Sequence, residues 1–278
     1  MTARITIREI NSIAEMKVLE TLQKQVWGWA DLDVMPLMNF IVGKELGGIL
    51  IGAFDGEMPV GFAFGIVGYD EGDIVFHSHM LAVLPQYREH GVGLKLKIAQ
   101  REQALAKGHE RVTWTFDPLQ STNAYLNFGK LGVIATKYKV NFYGEGSSSD
   151  LHRHIGTDRL WVNWFLKSDR VKQRLSAGTE PSLAGLEGSV TLVEIGSDEE
   201  PITRSLSEVI GKRLLVEIPA DIGLLQKVNP QLALSWRNAT RLVFTEAFQA
   251  GYVVDEFYRV EKEGKSIGCY RLSLGSYQ

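Results

Sequence analysis

The stretch that decides the fold is YREHGVGLKLK, residues 87–97, where a predicted helix begins with two glycines, Gly91 and Gly93. Glycine costs about 1 kcal/mol relative to alanine inside a helix, so two of them at a helix start need a reason. The first N–H groups of a helix have no intrahelical partner and carry positive partial charge, so they can bind phosphate. Glycines here let a phosphate reach the main chain, or they permit a tight turn and close helix packing.

Predicted strands and helices on both sides place the glycines between a strand and a helix. Apolar residues recur at helical spacing in some segments and alternate with polar ones in others. The elements predicted up to residue 167 are a strand over 4–10, helices over 11–28 and 35–45, the strands GILIGAFD, PVGFAFGIVGYD and DIVFHSHMLAVL, a helix ending at 107, a strand over 111–118, a helix over 120–131, and the strands VIATKYKVNFYG and TDRLWVNWFLK. Their order is β-α-α-β-β-β-α-β-α-β-β.

A second, smaller domain is predicted after the run SAGTEPSLAGLEG, residues 176–188, whose small and turn-forming residues are typical of a linker. The predicted domains are therefore 1–178 and 187–278. The second is a C-terminal α/β domain with the strands SVTLVEI and KRLLVEIP, an amphipathic helix near 231–249 and a hairpin that turns at 263–264. Its strand-helix-strand order loosely echoes the first domain, so we interpret it as a degenerate half-copy or as an unrelated addition.

Composition narrows the classes of function. The net charge of −3 and pI of 6.1 argue against nucleic acid as a general partner. The single cysteine, Cys269, excludes an internal disulfide. The first residues, MTARITIREI, lack the apolar core of a signal peptide, and no window reaches the length of a membrane span. We expect a cytoplasmic protein with no membrane partner, and the sequence leaves its oligomeric state open, a homodimer included.

The glycine stretch also resembles a known motif. The string V-x-P-x-Y-R-x-x-G-x-G, lying between an apolar strand and a helix, is similar to the acyl-CoA-binding motif of the GNAT acyltransferase superfamily; its residues here are Val83, Pro85, Tyr87, Arg88, Gly91 and Gly93. The element order over 4–167 is similar to that fold as well. Longer strings, among them TWTFDPLQS, resemble a bacterial two-domain subgroup, some members of which are associated with N-succinylation of amino acids.

The resemblance implies both a fold and a cofactor site. The implied fold is α/β (α+β), with a mixed, mostly antiparallel sheet flanked by helices. The implied co-substrate is acetyl-CoA or another acyl-CoA, with its pyrophosphate on the N–H groups of the glycine loop. The residues expected to bind it are Leu81, Val83, Arg88, Glu89, His90, Gly91, Val92, Gly93 and Asn123. Asn123 and the nearby Ser121 could instead cap the helix that follows.

Candidate catalytic residues come from the strand before the glycines. An amine must be neutral to attack a thioester, and histidine, with a pKa near 6.5, can take up its proton. The strand reads FHSHM, and its period of two puts His77 and His79 on one face. They are predicted to act as the base or to position the substrate, although they could equally be hydrogen-bonded within the sheet. A metal is not expected, because no third ligand lies near the pair.

The general acid is harder to assign. In the resembled family it is commonly a tyrosine at a position occupied here by Phe128, which cannot protonate a thiolate. Tyr125, Tyr138 or Tyr143 could substitute, with Tyr125 as our candidate. The thiolate could also leave unassisted, because thiols have pKa values near 8.5.

The sequence therefore predicts an N-acyltransferase. It would move an acetyl or succinyl group from acyl-CoA to the amine of a small molecule, for example an amino acid. Arg159 is one of the candidates to bind a carboxylate on that substrate. The alternative is a non-catalytic GNAT-like protein that binds CoA or a metabolite, which the absent tyrosine would favour.

Overall fold

The computed structural model describes residues 5–144, 155–177, 181–209, 213–262 and 264–275, and the side chains of all of these except Glu89 and Ala177. The helices are α1 Ile13–Trp27, α2 Leu37–Glu45, α3 Val92–Ala106, α4 Ser121–Ala124, α5 Asp169–Ala177, α6 Ile222–Val228 and α7 Pro230–Gln249. The strands are β1 Ile5–Glu9, β2 Ile49–Asp55, β3 Met58–Asp70, β4 Asp73–Val83, β5 Arg111–Phe116, β6 Ile134–Lys139, β7 Arg159–Phe165, β8 Val190–Ile195, β9 Pro201–Thr203, β10 Leu214–Pro219, β11 Tyr252–Lys262 and β12 Lys265–Leu274. None of the described helices is both long and apolar enough to cross a bilayer.

The chain divides into two compact units. The first contains the described residues up to Trp114 together with Phe165–Lys167. The second contains the described residues of Thr115–Gly146, His152–Trp164 and Ser168–Gln278. The fold is mixed α/β with a mostly antiparallel sheet in each unit, as the sequence predicts.

The first unit is built on β1 to β5 in chain order. Neighbouring strands are antiparallel from β1 to β4, and β4 and β5 are parallel. Helices α1 and α2 bury one face of this sheet with aromatic contacts, in which Phe40 meets Phe62 and Phe64 with ring centroids 5.8 and 5.0 Å apart. Such edge-on pairs add to the stability gained from burying the rings alone. Strand β4 and helix α3 carry the glycine loop between them.

Helix α1 begins at a capping box. The N–H of Glu15 donates to the Ser12 hydroxyl at 3.2 Å, and the Glu15 carboxylate accepts from the Ser12 N–H at 3.3 Å. At its other end, Gly28 has a φ of 68° and donates its N–H to the Lys24 carbonyl at 2.8 Å. Both ends of the helix are thus set by local sequence.

Replacing Ser12 with alanine should lower the free energy of unfolding by about 1 kcal/mol, because the N–H of Glu15 loses its acceptor. Urea unfolding of the two proteins measures the difference. Ser12→Thr keeps the hydroxyl and should stay within about 0.5 kcal/mol of the parent. An equal loss of unfolding free energy in both variants would show that the hydroxyl does not stabilise the start of α1.

The strands of the second unit are paired in the order β7-β6-β11-β12-β10-β8-β9, antiparallel except between β8 and β10. Tyr270 on β12 is fully buried in its core. Its ring meets those of Phe128, Phe244 and Phe257 with centroids 5.8, 5.4 and 4.7 Å apart. Its hydroxyl donates to the Pro118 carbonyl at 2.7 Å, so a buried polar group is satisfied.

The element order up to residue 167 is confirmed, but several details differ from prediction. The helix predicted over 120–131 is a short α4 that continues as a π-helix over Tyr125–Leu131 and ends at Gly132, with a φ of 72°. Strand β6 ends at Lys139, before the end of the run predicted for it. Helices α5 and α6 were not predicted. The sequence DRVKQRLSA of α5 has few apolar residues, and α6 is only 7 residues long, so each offers few apolar positions from which to predict a helix.

The predicted domains 1–178 and 187–278 stay a prediction. The compact units divide the chain within β5 and β7 rather than at the 176–188 segment. Within the second unit, β6 pairs with β11 through Ala135 and Val254. The last strands of the predicted first domain thus share a sheet with strands of the predicted second one.

Candidate active site

The candidate site lies in the first unit, along β4 and the segment that follows it. Strand β4 pairs with β3 along its whole length, from Asp73 to Val83. On its other side the ladder with β5 joins only Phe76 to Val112 and His77 to Thr113. Within the described residues, β4 therefore continues past His77 with no strand beside it on that side, as far as the glycine loop. Such an edge can form main-chain hydrogen bonds with an extended ligand.

A β-bulge shapes β4 at the two histidines. Phe64 of β3 pairs with Met80 and Ile66 pairs with His77, so Ser78 and His79 both lie opposite Gly65. A Cβ on Gly65 would come within 2.4 Å of the Phe76 ring and 2.8 Å of the His77 carbonyl, so this pairing requires glycine. The rings of His77 and His79 remain neighbours, with centroids 6.4 Å apart. Bulges often re-aim side chains next to active sites.

The environment of His77 makes it a weak base. Its ring is half-buried, and its Nδ1 lies 2.9 Å from the Thr113 hydroxyl. Burial, followed by the nearby charges of His79 and Lys97, lowers the pKa of His77 to about 4. The imidazole is therefore neutral at neutral pH and holds its proton weakly.

His79 differs from His77 in both its exposure and its pKa. Its side chain is exposed. Partial desolvation lowers its pKa below the usual 6.5, with no other cause resolved. Of the two histidines, His79 is the one that a substrate can reach and the one whose basicity is less depressed.

The segment after β4 is a short 3-10 helix, Pro85–His90, held in place by side chains. Tyr87 donates its hydroxyl proton to Asp55 at 2.8 Å. Arg88 donates from Nε to the Val83 carbonyl at 3.1 Å and from Nη2 to the Val26 carbonyl at 3.4 Å. The Arg88 guanidinium thus holds the main chain in place. If Arg88 binds a cofactor as predicted, it would do so through its backbone N–H. His90 is exposed, and the side chain of Glu89 lies outside what the structure describes.

The glycine loop has the geometry of an anion site. Gly91 has a φ of 68° and is the N-cap of α3, where no side chain caps the helix and no acidic residue occupies the first turn. A Cβ built on Gly91 would meet no protein atom within 4 Å, so the space beside it is open. Val92 is fully buried and anchors the helix start. The first N–H groups of this 15-residue helix therefore have no side-chain cap, and uncapped N–H groups at a helix start are the kind that can bind phosphate.

Two polar side chains that contact β4, those of Lys97 and Thr113, were not predicted from the sequence. Lys97 of α3 is buried, donates to the Ser78 hydroxyl at 2.9 Å and to Gln100 at 3.1 Å, and lies 3.5 Å from the centre of the Trp114 ring. Desolvation lowers its pKa well below the usual value. Its burial could have been found from the helical spacing of Val92, Leu96 and Gln100. The contact of His77 with Thr113 depends on the register of two parallel strands, which no local pattern shows.

The candidates on α4 and its π-helical continuation belong to the second unit. Asn123 is exposed, and no side-chain capping bond forms at that helix start, where Gln120 is the N-cap. Tyr125 lies between two cations, with Arg259 and Lys130 at 4.2 and 5.1 Å from its ring centre. Phe128 is fully buried in the core. The roles predicted for Asn123 and Tyr125 stay predictions.

Two other tyrosines and two charged residues of the second unit are engaged within the protein. The hydroxyl of Tyr138 donates to Asp158 at 2.7 Å, and burial raises the pKa of Tyr138 far above its usual value, which makes it a poor acid. Asp117 accepts from the Leu119 N–H at 3.0 Å and pairs with the buried Arg237 at 2.7 Å. Arg159 is buried and stacks over the ring of Tyr143, 5.0 Å from its centre.

Metal binding has no visible basis in the part of the chain that the structure describes, where no three His, Cys, Asp or Glu side chains could together hold an ion. His152 and His154, another His-x-His pair, lie outside the described residues. Cys269 is buried, and its pKa is raised to about 12, chiefly by desolvation. Its thiol therefore stays protonated at neutral pH and is not a nucleophile.

Comparisons with known proteins relate part of the sequence to a family. The sequence model of the acetyltransferase (GNAT) family matches residues 13–130. No curated protein matches the chain. Similar solved structures include the ribosomal-protein alanine N-acetyltransferase of Escherichia coli, at 13% identity over 59% of this chain and 95% of that one, with a TM-score of 0.47.

Two further solved structures are similar over a comparable share of the chain. An aminoglycoside 6'-acetyltransferase of type Ii has 19% identity over 59% of this chain and 98% of its own, with a TM-score of 0.46. A GNAT family acetyltransferase from Elizabethkingia anophelis with acetyl-CoA bound has 16% identity over 58% and 97%, with a TM-score of 0.43. The family match spans β4, the glycine loop and α3, the elements that build the candidate site. Residues 13–130, which contain these elements, therefore match the acetyltransferase (GNAT) family.

Proposed function

We propose that this protein is an N-acetyltransferase that moves the acetyl group of acetyl-CoA to the amine of a small molecule. The observation that carries the proposal is the continuous strip formed by the unpaired edge of β4, the histidine bulge and the uncapped start of α3 at Gly91. One strip thus combines a main-chain edge, a proton acceptor and an anion site, as acyl transfer from CoA to an amine requires.

The main chain of the strip would bind the co-substrate. The N–H groups at Gly91, Val92 and Gly93 would hold the pyrophosphate, supported by the helix dipole. Leu81 and Val83 lie on the unpaired edge of β4, where their backbone could bond to the pantetheine arm as a strand would. Bound there, acyl-CoA supplies an activated thioester.

His79 would act as the base. It accepts the proton of the substrate ammonium directly or through water, and the neutral amine then attacks the thioester carbonyl. The C–N bond forms and the C–S bond breaks, so CoA leaves as a thiolate. His77, bonded to Thr113, would hold the bulge and so position His79. The attacking nitrogen releases its extra proton to water, and the thiolate leaves unassisted or takes a proton from water.

The acceptor is proposed to be a small molecule, for example an amino acid, and succinyl-CoA is a second candidate donor. Trp27 and Trp29 form a half-buried stacked pair at the end of α1, with ring centroids 4.4 Å apart, and Trp27 meets Phe62 at 6.4 Å. An aromatic wall of this kind could bind the apolar part of an acceptor. A non-catalytic CoA-binding protein is the alternative, favoured by the buried Phe128 at the position of the family's usual acid.

Calorimetric titration with acetyl-CoA, succinyl-CoA and free CoA tests the proposal first. We expect saturable binding of acetyl-CoA, with a preference for one acyl chain. Tight binding without turnover against a panel of amines and amino acids would favour the non-catalytic alternative. Failure of all three to bind would mean that the glycine loop is structural, and the proposal would fall.

A further inference from the structure

A cleft in the second unit, outside the candidate active site, has the features of a ligand-binding site. It is formed by α5, the short 3-10 helix Leu183–Leu186, β11 and β12, and its volume is about 510 Å³. Pockets for small molecules typically have volumes of about 300–1,000 Å³. Three arginines line it, Arg170 and Arg174 from α5 and Arg271 from β12.

The charges of the cleft favour an anion. Glu256 pairs with both Arg170, at 3.4 Å, and Arg174. Asp255 binds Arg271 through two bonds of 2.9 and 3.1 Å. Three guanidinium groups thus face two buried carboxylates. The remaining acid of the lining, Asp169, has a side chain 88% exposed and pairs with Lys172 outside the cleft. One excess positive charge remains among side chains that are at most 28% exposed, where charge interactions are less screened than at the surface.

Hydrogen-bond donors remain available in the cleft. A guanidinium has five N–H donors. Arg170 uses Nε on the Gly132 carbonyl at 3.0 Å and Nη2 on the Asp255 carbonyl and on Glu256. Within the described residues no bond is recorded for its Nη1. The Tyr258 hydroxyl accepts from Arg271 Nη1 at 3.0 Å, which leaves its own proton to donate.

A glycine, Gly185, forms part of one wall of the cleft. A Cβ on Gly185 would lie 2.2 Å from the Tyr258 hydroxyl oxygen and 2.8 Å from Arg271 Nη1. The main chain of the 3-10 helix therefore approaches these two donors more closely than any other residue would allow. A side chain at this position would displace both donors or fill the cleft.

We propose that this cleft binds a small anionic metabolite through a carboxylate or phosphate group. The guanidinium of Arg170 donates from Nη1 to the anion, the amide of Gln173 and the hydroxyl of Tyr258 contribute further bonds, and the excess positive charge balances the ligand. Guanidinium groups suit both anions because their paired N–H groups match two oxygens.

Titration with inorganic phosphate and with succinate, at constant ionic strength, tests this proposal and separates the two anion classes. We expect saturable millimolar binding of at least one probe. Arg170→Gln should weaken it at least about tenfold, since a charge-assisted bond is lost. Because Arg170 also holds the Gly132 carbonyl, a second variant is needed that leaves the packing intact. Gln173→Glu serves, since Gln173 is exposed at the rim and the change adds a negative charge to the lining.

Gln231→Glu is the matched control. It is the same substitution on an exposed residue of α7, and Gln231 does not line the cleft. It should leave the affinity within about twofold, because an exposed charge is screened. The proposal is overturned if neither probe binds, if Gln231→Glu weakens binding as much as Gln173→Glu does, or if only Gly91→Val abolishes phosphate binding, which would place the ion at α3 instead.

Discussion

Replacing Gly91 with valine is expected to weaken acetyl-CoA binding ten- to hundredfold. Gly91 has a φ of 68°, and a β-branched residue avoids this left-handed conformation at a cost of about 1–2 kcal/mol. The start of α3 would shift to relieve that strain, and the N–H groups would turn away from the pyrophosphate. Each hydrogen bond to a charged group is worth about 1.5–3 kcal/mol, which is ten- to more than hundredfold in affinity. Calorimetric titration measures the loss.

Gly108→Val is the control for strain alone. Gly108 follows the other end of α3, has a φ of 85° and, like Gly91, has no protein atom within 4 Å of a built Cβ. Valine there carries the same type of backbone strain, and the two variants should lose similar amounts of unfolding free energy. Acetyl-CoA affinity should fall only in Gly91→Val. Normal affinity in Gly91→Val, or a matching loss in Gly108→Val, would disprove the proposed role of the loop.

Local sequence rules explain which features of the fold and of the candidate site could be predicted. The glycine at the start of α3, the Ser12 cap and the Gly132 end of the π-helical segment each depend on residues within one helical turn. Such residues can be identified directly in the sequence, and the structure contains all three features. The order of strands and helices follows from apolar periodicity, which is also local.

The unpredicted features depend on non-local contacts. The bulge at Ser78 and His79 exists because Phe64 and Ile66 pair in different registers. The low pKa of His77 depends on burial and on charges brought close by α3 and β4. The period of two correctly placed the two histidines side by side, but it could not distinguish the buried one from the exposed one. That distinction decides which of them is the better candidate base.

Replacing His79 with glutamine should therefore lower kcat by about 10² to 10⁴, the usual contribution of a general base, and leave acetyl-CoA affinity within about twofold. Glutamine keeps a polar side chain of similar size but cannot take up a proton. His77→Gln should have the smaller effect, because His77 acts through the bulge. His109→Gln, a half-buried histidine that packs on Phe76, is the control for losing an imidazole elsewhere in the unit. A loss of turnover confined to His77→Gln would reverse the two roles.

The pH dependence of kcat, measured for the parent protein and for His79→Gln, separates the two histidines. A base works only when neutral, so activity falls as the pH drops through its pKa. The pKa of His79 lies below 6.5 but is less displaced than that of His77, which is about 4. With His79 as the base, the acid limb of kcat should fall between these two values and vanish in His79→Gln. A limb near pH 4 that survives His79→Gln would point to His77, because only its more buried imidazole stays neutral that far into acid.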